Sequence, residues 1–156
     1  MVLSDEGYAV LRDREGLRLE AYLDTTGVLT IGLGHTSAAG PPQVYQGMTI
    51  TEEEAEEIFR ADCITFRDEV IDSVTADLIQ HEFDACCSFV YNIGSPNFLG
   101  STFLERLNND DKPGAAEAML WWNQPEEVIT RRNGEHRQFV EGEYIARADT
   151  PSENKA

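Results

Sequence analysis

Residues 15–36 constrain this chain most, because they join the end of a helix, a tight turn and a strand that carries glycines on one face. Ser4 is followed by two acidic residues, which is the pattern of a helix N-cap with an acidic first turn. Gly16 has the place of the glycine that follows the last helical turn. We therefore predict a first helix that begins after Ser4 and ends at Glu15.

Glu15 is expected on the buried side of that helix, because Tyr8, Leu11 and Glu15 recur at intervals of three and four residues. A carboxylate there would be partly desolvated and close to the negative end of the helix dipole, and both effects favour its protonated form. A carboxylic acid that keeps its proton near neutral pH can act as a general acid. Glu15 is thus the candidate proton donor.

Two short strands joined by a turn are predicted after the helix. Residues 18–24 and 28–34 both alternate apolar residues with polar or small ones. The inward face of this hairpin would be formed by Leu19, Ala21, Leu23, Leu29, Ile31 and Leu33. Gly27 supplies the positive φ that the turn requires. The opposite face carries Asp24 and Thr30 beside glycines, which leave room for a ligand.

Asp24 differs from Glu15 in its expected surroundings. It lies at a turn among polar groups and should therefore stay ionised. One carboxyl group kept neutral and one kept charged is the pair that cleaves a glycosidic bond. The residues themselves thus predict a glycosidase.

The same residues carry a resemblance to a known family. Glu15, Asp24 and Thr30 are separated by eight and by five residues, and they are followed by Ile-Gly-Leu-Gly-His-Thr. This arrangement resembles the Glu/Asp/Thr triad and Gly-His motif of phage-type lysozymes, the endolysin muramidases of the T4-lysozyme kind. Further segments that resemble the family lie at residues 51–59, 89–94 and 121–125. A Glu-x8-Asp pair alone occurs in many acidic chains, whereas these features together are specific.

The resemblance implies an α+β, lysozyme-like fold, in which a small lobe with a hairpin-based sheet and a larger helical lobe are joined by a long helix. Within a single domain, residues 1–148, these parts would be 15–50, 75–148 and 51–74, respectively. The tail, residues 149–156, is polar, and we expect it to be disordered.

The resemblance also implies a reaction. The cleft between the lobes would bind the glycan strands of peptidoglycan, and the enzyme would hydrolyse the β-1,4 bond between N-acetylmuramic acid and N-acetylglucosamine. Glu15 would protonate the leaving oxygen, while Asp24 and Thr30 would hold and activate the attacking water, which predicts inversion at the anomeric carbon. Two alternatives on the same scaffold are a catalytically silent wall-binding module and a lytic transglycosylase.

Other residues receive roles by the same resemblance. Direct contacts with the substrate are expected of Gly34, His35, Tyr91, Asn92 and Gln124. Core packing is an equally good interpretation of Tyr91. Asp62, on the apolar side of the long helix, would pair with His35, or else be an exposed aspartate at the edge of the apolar stripe. One of Arg131 and Arg132 would orient the proposed acid, and the sequence leaves open which one.

The net charge of the chain restricts its partners. With 12 basic and 29 acidic residues the charge is −17, which argues against nucleic acid and against an anionic membrane. The bacterial wall is also anionic, and lysozymes of the family named above are usually basic. The charge therefore opposes binding to intact cells, but it does not affect the chemistry.

No cofactor and no membrane anchor are expected. Cys63, Cys86 and Cys87 lack Cys-x-x-Cys spacing and the histidines are scattered, so we expect reduced cysteines and neither a metal nor an organic cofactor. No run approaches the ~18 apolar residues of a membrane span. The N-terminus has neither the basic nor the apolar region of a signal peptide. We expect a monomer made in the host cytoplasm that reaches the wall through a separate pore, unless a natural leader precedes this sequence.

Overall fold

The computed structural model describes residues 1–153, and in that part of the chain seven α-helices accompany one three-stranded antiparallel sheet. The helices are α1 (Asp5–Glu15), α2 (Glu52–Ser73), α3 (Gln80–Ile93), α4 (Ser95–Leu99), α5 (Thr102–Asn108), α6 (Lys112–Met119) and α7 (Ile129–Glu141). The strands are β1 (Arg18–Leu23), β2 (Leu29–Gly32) and β3 (His35–Thr36), which are neighbours in that order. The predicted α+β class is confirmed. Within residues 1–153, every helix is too short or too polar to span a bilayer.

The chain forms two compact units. The sheet unit is Glu15–Thr65, and the helical unit consists of Met1–Arg14 together with the chain from Phe66 onward. The sequence analysis placed its divisions at residues 51 and 75 and did not assign the first helix to the helical part. Both α1 and α2 continue across a boundary between the units.

The sequence predicts an N-cap at Ser4 and, from the pattern Thr-x-x-Glu, a capping box formed by Thr51 and Glu54, and each of these caps begins a helix. The Ser4 hydroxyl accepts a hydrogen bond from the backbone N–H of Gly7 at 3.0 Å, as an N-cap does. At the start of α2, Thr51 and Glu54 exchange two such bonds, each from a backbone N–H to a side-chain oxygen, at 3.1 Å. These local signals fixed the starts of α1 and α2 correctly.

Helix α3 begins later than the sequence pattern predicts. Periodicity favours a start near Ala76, but the helix begins at Gln80. The Glu82 carboxylate accepts a hydrogen bond from the backbone N–H of Ile79 at 3.0 Å, which ends the preceding loop there. The sequence Lys-Pro-Gly at residues 112–114 predicts the start of a helix that runs through Trp122, whereas α6 ends at Met119.

The helical unit is built on aromatic packing. Phe89 on α3 lies with its ring centroid 5.0 Å from that of Phe103, and Phe103 lies 5.5 Å from Phe139 on α7. All three rings are buried. The spacing of Ile79, Phe83, Cys86, Val90 and Ile93 predicts a buried stripe on α3. Phe83, Cys86 and Val90 are buried as predicted, whereas Ile79 precedes the helix and is 58% exposed, and Ile93 is half-buried. All three cysteines are buried, and none of them forms a disulfide.

The predicted inward face of the hairpin is correct on the second strand and wrong at two positions of the first. Ile31 and Leu33 are buried as predicted, and Ala21 and Leu29 pack against the core, which also contains Val44, Met48, Ile50 and Ala55, whereas Leu19 and Leu23 are 37% and 65% exposed. The physical reason is the pairing of β1, which is irregular between Arg18 and Tyr22. Residues 19–21 bond instead to residues 48–50, with Ala21 N–H donating to the Met48 carbonyl at 2.9 Å. Alternation along β1 therefore does not indicate burial.

The described part of the tail is bound to α7, in contrast to the expected disorder. Arg137 donates to the backbone carbonyl and the hydroxyl of Thr150 at 2.8 and 2.9 Å. The backbone N–H of Ser152 donates to Nδ1 of His136 at 3.1 Å. Residues 149–153 are thus held in place, whereas residues 154–156 of the predicted tail lie outside the described residues.

Gly134 should not tolerate a side chain. A Cβ atom there would lie 2.6 Å from the carbonyl oxygen of Ala146 and 2.7 Å from that of Ile145. Alanine has a higher helix propensity than glycine, but the added methyl group would overlap the backbone of residues 145–146. This overpacking should outweigh the gain in helix propensity, so Gly134→Ala should lower the free energy of unfolding by about 1–3 kcal/mol. Urea denaturation measures the loss.

Gly100 provides the matched control. Its φ is −91° and a Cβ atom would lie 3.6 Å from the nearest heavy atom, the Pro96 carbonyl oxygen. Gly100→Ala should therefore change stability by less than about 0.5 kcal/mol. Equal effects of the two substitutions would mean that residues 145–146 do not press on α7.

Candidate functional site

The three residues of the predicted triad, Glu15, Asp24 and Thr30, all belong to the sheet unit and lie on successive parts of its chain. Glu15 is the last residue of α1, Asp24 follows β1, and Thr30 is in β2. Glu15 is half-buried and is not on the buried stripe, which contradicts the periodicity argument. The buried residues of α1 are Gly7, Val10, Leu11 and Arg14.

Arg14 occupies the buried position because its guanidinium finds acceptors inside the helical unit. It donates to the Ser88 hydroxyl at 2.9 Å and to the carbonyls of Ile145 and Ala146 at 2.8 and 3.1 Å. Burial lowers the pKa of Arg14 to about 10, which still leaves it charged at neutral pH. Arg14, in the last turn of α1, thus faces the interior of the helical unit, whereas the next residue, Glu15, is only half-buried.

Arg147 holds the C-terminal end of α1. Its guanidinium donates to the carbonyl of Arg14 at 2.9 Å and to that of Asp13 at 3.3 Å. Carbonyls at a helix C-terminus lack partners within the helix, and a cation there is favourable. The backbone that leads directly into Glu15 is therefore fixed by a residue that sequence reasoning did not identify.

Asp24 organises the turn between β1 and β2. Gly27, at φ +82°, donates its N–H to the Asp24 carbonyl at 3.0 Å, as predicted for the hairpin. One carboxylate oxygen, Oδ1, accepts bonds from the N–H and hydroxyl of Thr26 at 2.8 and 2.7 Å and from the N–H of Val28 at 2.9 Å.

These hydrogen bonds keep Asp24 ionised. Partial burial raises the pKa of Asp24, but the bonds from Val28, Thr26 and Gly27 favour the carboxylate and together lower the pKa below its ordinary value. The expectation of a charged Asp24 is confirmed. A charged carboxylate can accept a proton or orient a water molecule.

Thr30 lies opposite Tyr22 in the β1–β2 register, only 4% exposed. Its hydroxyl donates to the carbonyl of Val28 at 2.9 Å. Because its hydrogen is used in this bond, the Thr30 oxygen can accept a hydrogen bond from a neighbouring donor. The threonine is thus suited to hold a donor such as water.

Tyr22 is a residue of this site that the sequence analysis did not single out. The guanidinium of Arg18 lies 4.3 Å from the centroid of its ring. Burial raises the pKa of Tyr22, and the negative charges of Glu15 and Asp24 raise it further against Arg18. Tyr22 is therefore close to both carboxylates. Its place on the same face of β1 as Asp24 was the signal that could have indicated it.

Gly32, the last residue of β2, and Gly34, in the turn after it, both have a positive φ. Gly32 has a φ of +66°, and a Cβ atom there would meet the side chains of Ile50 and Ala55 at 3.5 and 3.7 Å. Gly34, at φ +81°, lies in the turn between β2 and β3. The expected open glycine surface is therefore wrong at Gly32, which packs against the core. Contact of Gly34 with a substrate stays a prediction.

His35 and Asp62 form the expected pair. Nδ1 of His35 lies 2.7 Å from Oδ2 of Asp62, and Nε2 lies 2.8 Å from the carbonyl oxygen of Pro42. Both partners are acceptors, so the geometry favours a doubly protonated imidazolium. Burial lowers the pKa of His35, but the bonds to Asp62 and Pro42 outweigh it and the pKa is raised.

The burial of His35 contradicts its predicted contact with the substrate. Its side chain is 1% exposed, and both ring nitrogens are bonded within the protein. The alternative of a water-exposed Asp62 is also wrong, since that side chain is 3% exposed. The pair fixes β3 against α2, inside the sheet unit.

The remaining predicted contacts belong to the helical unit. Tyr91 is 8% exposed and its ring centroid lies 5.2 Å from that of Phe66, which supports core packing over substrate stacking. Asn92, the next residue of α3, is exposed. Gln124 is exposed and precedes Pro125 through a cis peptide bond. Asn92 and Gln124 can therefore meet a ligand.

The two predicted arginines surround a buried carboxylate. Glu135 is fully buried, and it accepts bonds from Nε of Arg131 at 3.2 Å, from Arg132, and from the Ser88 hydroxyl at 2.5 Å. Burial raises the pKa of Glu135, but Arg132, Arg131 and Arg14 together lower it to about 2. The predicted role of one arginine toward the acid stays a prediction.

Known proteins are similar to most of this chain in sequence and in fold. The family model described as phage lysozyme matches residues 12–135. The endolysin of Salmonella phage P22 is 38% identical over 144 residues, which are 90% of this chain and 99% of that protein.

Solved structures share the fold. An endolysin from Escherichia coli O157:H7 phage FAHEc1 has a TM-score of 0.81 and 38% identity, over 92% of this chain and 96% of that one. The muramidase domain of SpmX from Asticaccaulis excentricus has a TM-score of 0.77 and 32% identity, over 88% and 97%. The predicted lysozyme-like fold is confirmed.

The His35–Asp62 pair should make stability depend on pH. Because the folded pKa of His35 is raised, its contribution is complete below the unfolded value of ~6.5 and is lost as pH rises through the folded value. The difference in melting temperature between wild type and His35→Asn should therefore be largest at acidic pH and shrink as the pH is raised.

His136 provides a control of opposite sign. Burial lowers its pKa, so its contribution is present above ~6.5 and is lost as pH falls through the folded value. The difference between wild type and His136→Gln should shrink toward acid. If the melting temperatures of wild type and His35→Asn differ by the same amount at every pH, His35 is not charged in the folded protein.

Proposed function

The chain belongs to the phage lysozyme family, and we propose that it is an inverting endolysin that hydrolyses the β-1,4 bond between N-acetylmuramic acid and N-acetylglucosamine in peptidoglycan, which lyses the host cell. The observation that carries this proposal is the different setting of two carboxyl groups. The Asp24 carboxylate accepts hydrogen bonds from three donors of its turn, which favour its ionised form, whereas Glu15 ends a helix and is half-buried.

In the proposed reaction, Glu15 gives its proton to the glycosidic oxygen as the bond to the anomeric carbon breaks. A water molecule held by Asp24 and Thr30 attacks that carbon from the opposite face, and Asp24 takes the proton that the water releases. The Thr30 oxygen suits this role because its own hydrogen is bonded to Val28, which leaves an acceptor for the water. Tyr22, with the guanidinium of Arg18 against its ring, would lie close to the carboxyl groups of both Glu15 and Asp24.

The other residues supply the binding surface in this proposal. Asn92 and Gln124 are exposed and would hydrogen-bond the glycan. Arg147 and Arg14 hold the end of α1, and thereby the backbone that carries the acid, with no contact of their own to the reacting atoms. Neither step requires a metal or an organic cofactor.

The sharpest test replaces the proposed acid. Glu15→Gln keeps the size and polarity of the side chain but removes the proton that is donated. General acid catalysis contributes about 10²–10⁴-fold, so the clearing of cell-wall suspensions should fall by about that factor while the melting temperature is kept.

Glu20→Gln is the matched control, because Glu20 lies on the neighbouring strand, is exposed, and loses the same charge. It should clear walls at nearly the wild-type rate. If Glu15→Gln keeps a tenth or more of the wild-type activity, Glu15 is not the general acid. If the wild type itself releases no glycan fragments, the protein is the catalytically silent wall-binding module instead of an enzyme.

A further inference from the structure

We propose that the hydroxyl group of Tyr22 donates a hydrogen bond to the attacking water, and that Arg18 is a positioning residue that holds the Tyr22 ring in place. The water would then have three partners in the protein, namely Asp24, Thr30 and Tyr22. This inference rests on the proposed function, because it names the third group that fixes the nucleophile of that reaction. All four residues belong to the sheet unit, Glu15–Thr65.

Tyr22 lies on the same face of the hairpin as the two residues that are proposed to hold the water. In the β1–β2 pairing it is directly opposite Thr30. Opposed residues of an antiparallel pair have their Cβ atoms about 4.5–5.5 Å apart on one face. Asp24 follows Tyr22 by two residues, and the pairing continues to it, since the Asp24 N–H donates to the Val28 carbonyl at 3.0 Å. Residues two apart on a strand share a face, so the three side chains are neighbours.

Asp24 and Thr30 each offer the water an acceptor. The three bonds that the turn donates to the Asp24 carboxylate all end on Oδ1, and Oδ2 can therefore accept one from a water. The Thr30 hydroxyl donates to the Val28 carbonyl at 2.9 Å, so its oxygen is also an acceptor. A water that donates to both has used its two hydrogens and keeps two lone pairs. A donor on one lone pair would aim the other at the anomeric carbon.

The Tyr22 hydroxyl can be this donor. Burial and the charges of Arg18, Glu15 and Asp24 act on it, whereas no hydrogen bond from residues 1–153 does. Burial raises the pKa of Tyr22, so the phenol keeps its proton at neutral pH. The side chain is half-buried, and a polar group left unpaired there is unfavourable. A water molecule between the three side chains would satisfy it.

Arg18 restricts the Tyr22 ring from one side. Its guanidinium carbon lies 4.3 Å from the centroid of the ring, in a cation–π contact. The path from Arg18 to Tyr22 takes four steps along β1 but only two along β2, from Gly32 to Thr30. This bulge shortens the distance along the strand between the two side chains and so brings the guanidinium over the ring. The hydroxyl at the end of the ring stays free to donate.

The added hydrogen bond does not change the proton balance of the proposed reaction. The water oxygen forms its bond to the anomeric carbon as the bond to the leaving oxygen breaks. Asp24 takes the proton that the water releases, and Glu15 gives its own proton to the leaving oxygen. Tyr22 keeps its proton throughout, and its hydrogen bond passes from the water to the new hydroxyl group of the sugar.

The test removes the hydroxyl alone. Tyr22→Phe keeps the ring and its contact with Arg18, and the melting temperature should be kept because the hydroxyl lacks a partner within residues 1–153. On solubilised peptidoglycan, kcat should fall about tenfold with KM nearly unchanged, since one hydrogen bond to the water is lost in the transition state. Tyr45→Phe is the matched control, because it removes the hydroxyl of a tyrosine in the same unit that is 61% exposed. It should leave both constants unchanged.

A double-mutant cycle tests the role of Arg18. Arg18→Gln removes the cation–π contact and should lower kcat about 2–5-fold, whereas Arg18→Lys keeps a cation near the ring and should retain most of the rate. In the Tyr22→Phe background, Arg18→Gln should have no further effect on kcat, because no hydroxyl is left to position. An equal effect of Arg18→Gln in both backgrounds would mean that Arg18 acts through its charge alone, and would overturn its positioning role.

Three results would overturn the role of Tyr22. If Tyr22→Phe keeps the wild-type kcat, the hydroxyl does not bind the water. If only KM rises, the hydroxyl contacts the sugar instead, and if the variant loses stability, the hydroxyl is bonded within the protein. Failure of the proposed function is distinct, because it would be seen in the wild type itself, as a β-anomer formed first or as no cleavage.

Discussion

The fully buried carboxylate of Glu135 connects three helices of the helical unit. It accepts hydrogen bonds from Arg131 and Arg132 of its own helix, α7, and from the hydroxyl of Ser88 on α3. Arg14 of α1 donates to the same Ser88 hydroxyl. Removing one partner from such a network leaves a buried charge uncompensated, at a cost of about 3–5 kcal/mol. Three helices therefore share one network of ionic contacts and hydrogen bonds.

Residues with a proposed function lie in the last turns of two of these helices. Arg14 is anchored in the buried network, and Arg147 caps the same helix terminus, so the backbone before Glu15 is held on both sides. Asn92 lies in the last turn of α3, and its amide oxygen accepts a hydrogen bond from the guanidinium of Arg132. The sheet unit adds Asp24 through the geometry of one turn, which does not depend on the buried network. Rigid supports of this kind are what acid–base chemistry needs, because small displacements of a catalytic group are costly.

The sequence predicted correctly those local features, caps and turns, that form between residues close to one another in the chain. The caps at Ser4 and Thr51 and the Asp24 turn form among residues a few positions apart, and the sequence indicated each. The side chains of Leu19 and Glu15 were misplaced because their burial depends on distant segments. Pairing with residues 48–50 turned Leu19 outward, and carbonyls at 145–146 made Arg14 the buried residue of α1. The pairing of His35 with Asp62 came from family resemblance, since no local pattern joins them.

The central claim is that Asp24 and Thr30 hold a water molecule that attacks opposite the bond that Glu15 protonates. Proton NMR of fresh digests, recorded before the anomers equilibrate, tests it most directly. Attack from the opposite face converts the β-linkage into an α-anomer, so the account predicts that the α-anomer of the new reducing end is seen first. A β-anomer first would mean a retaining route, and products without a reducing end would mean a lytic transglycosylase; either result would contradict the account.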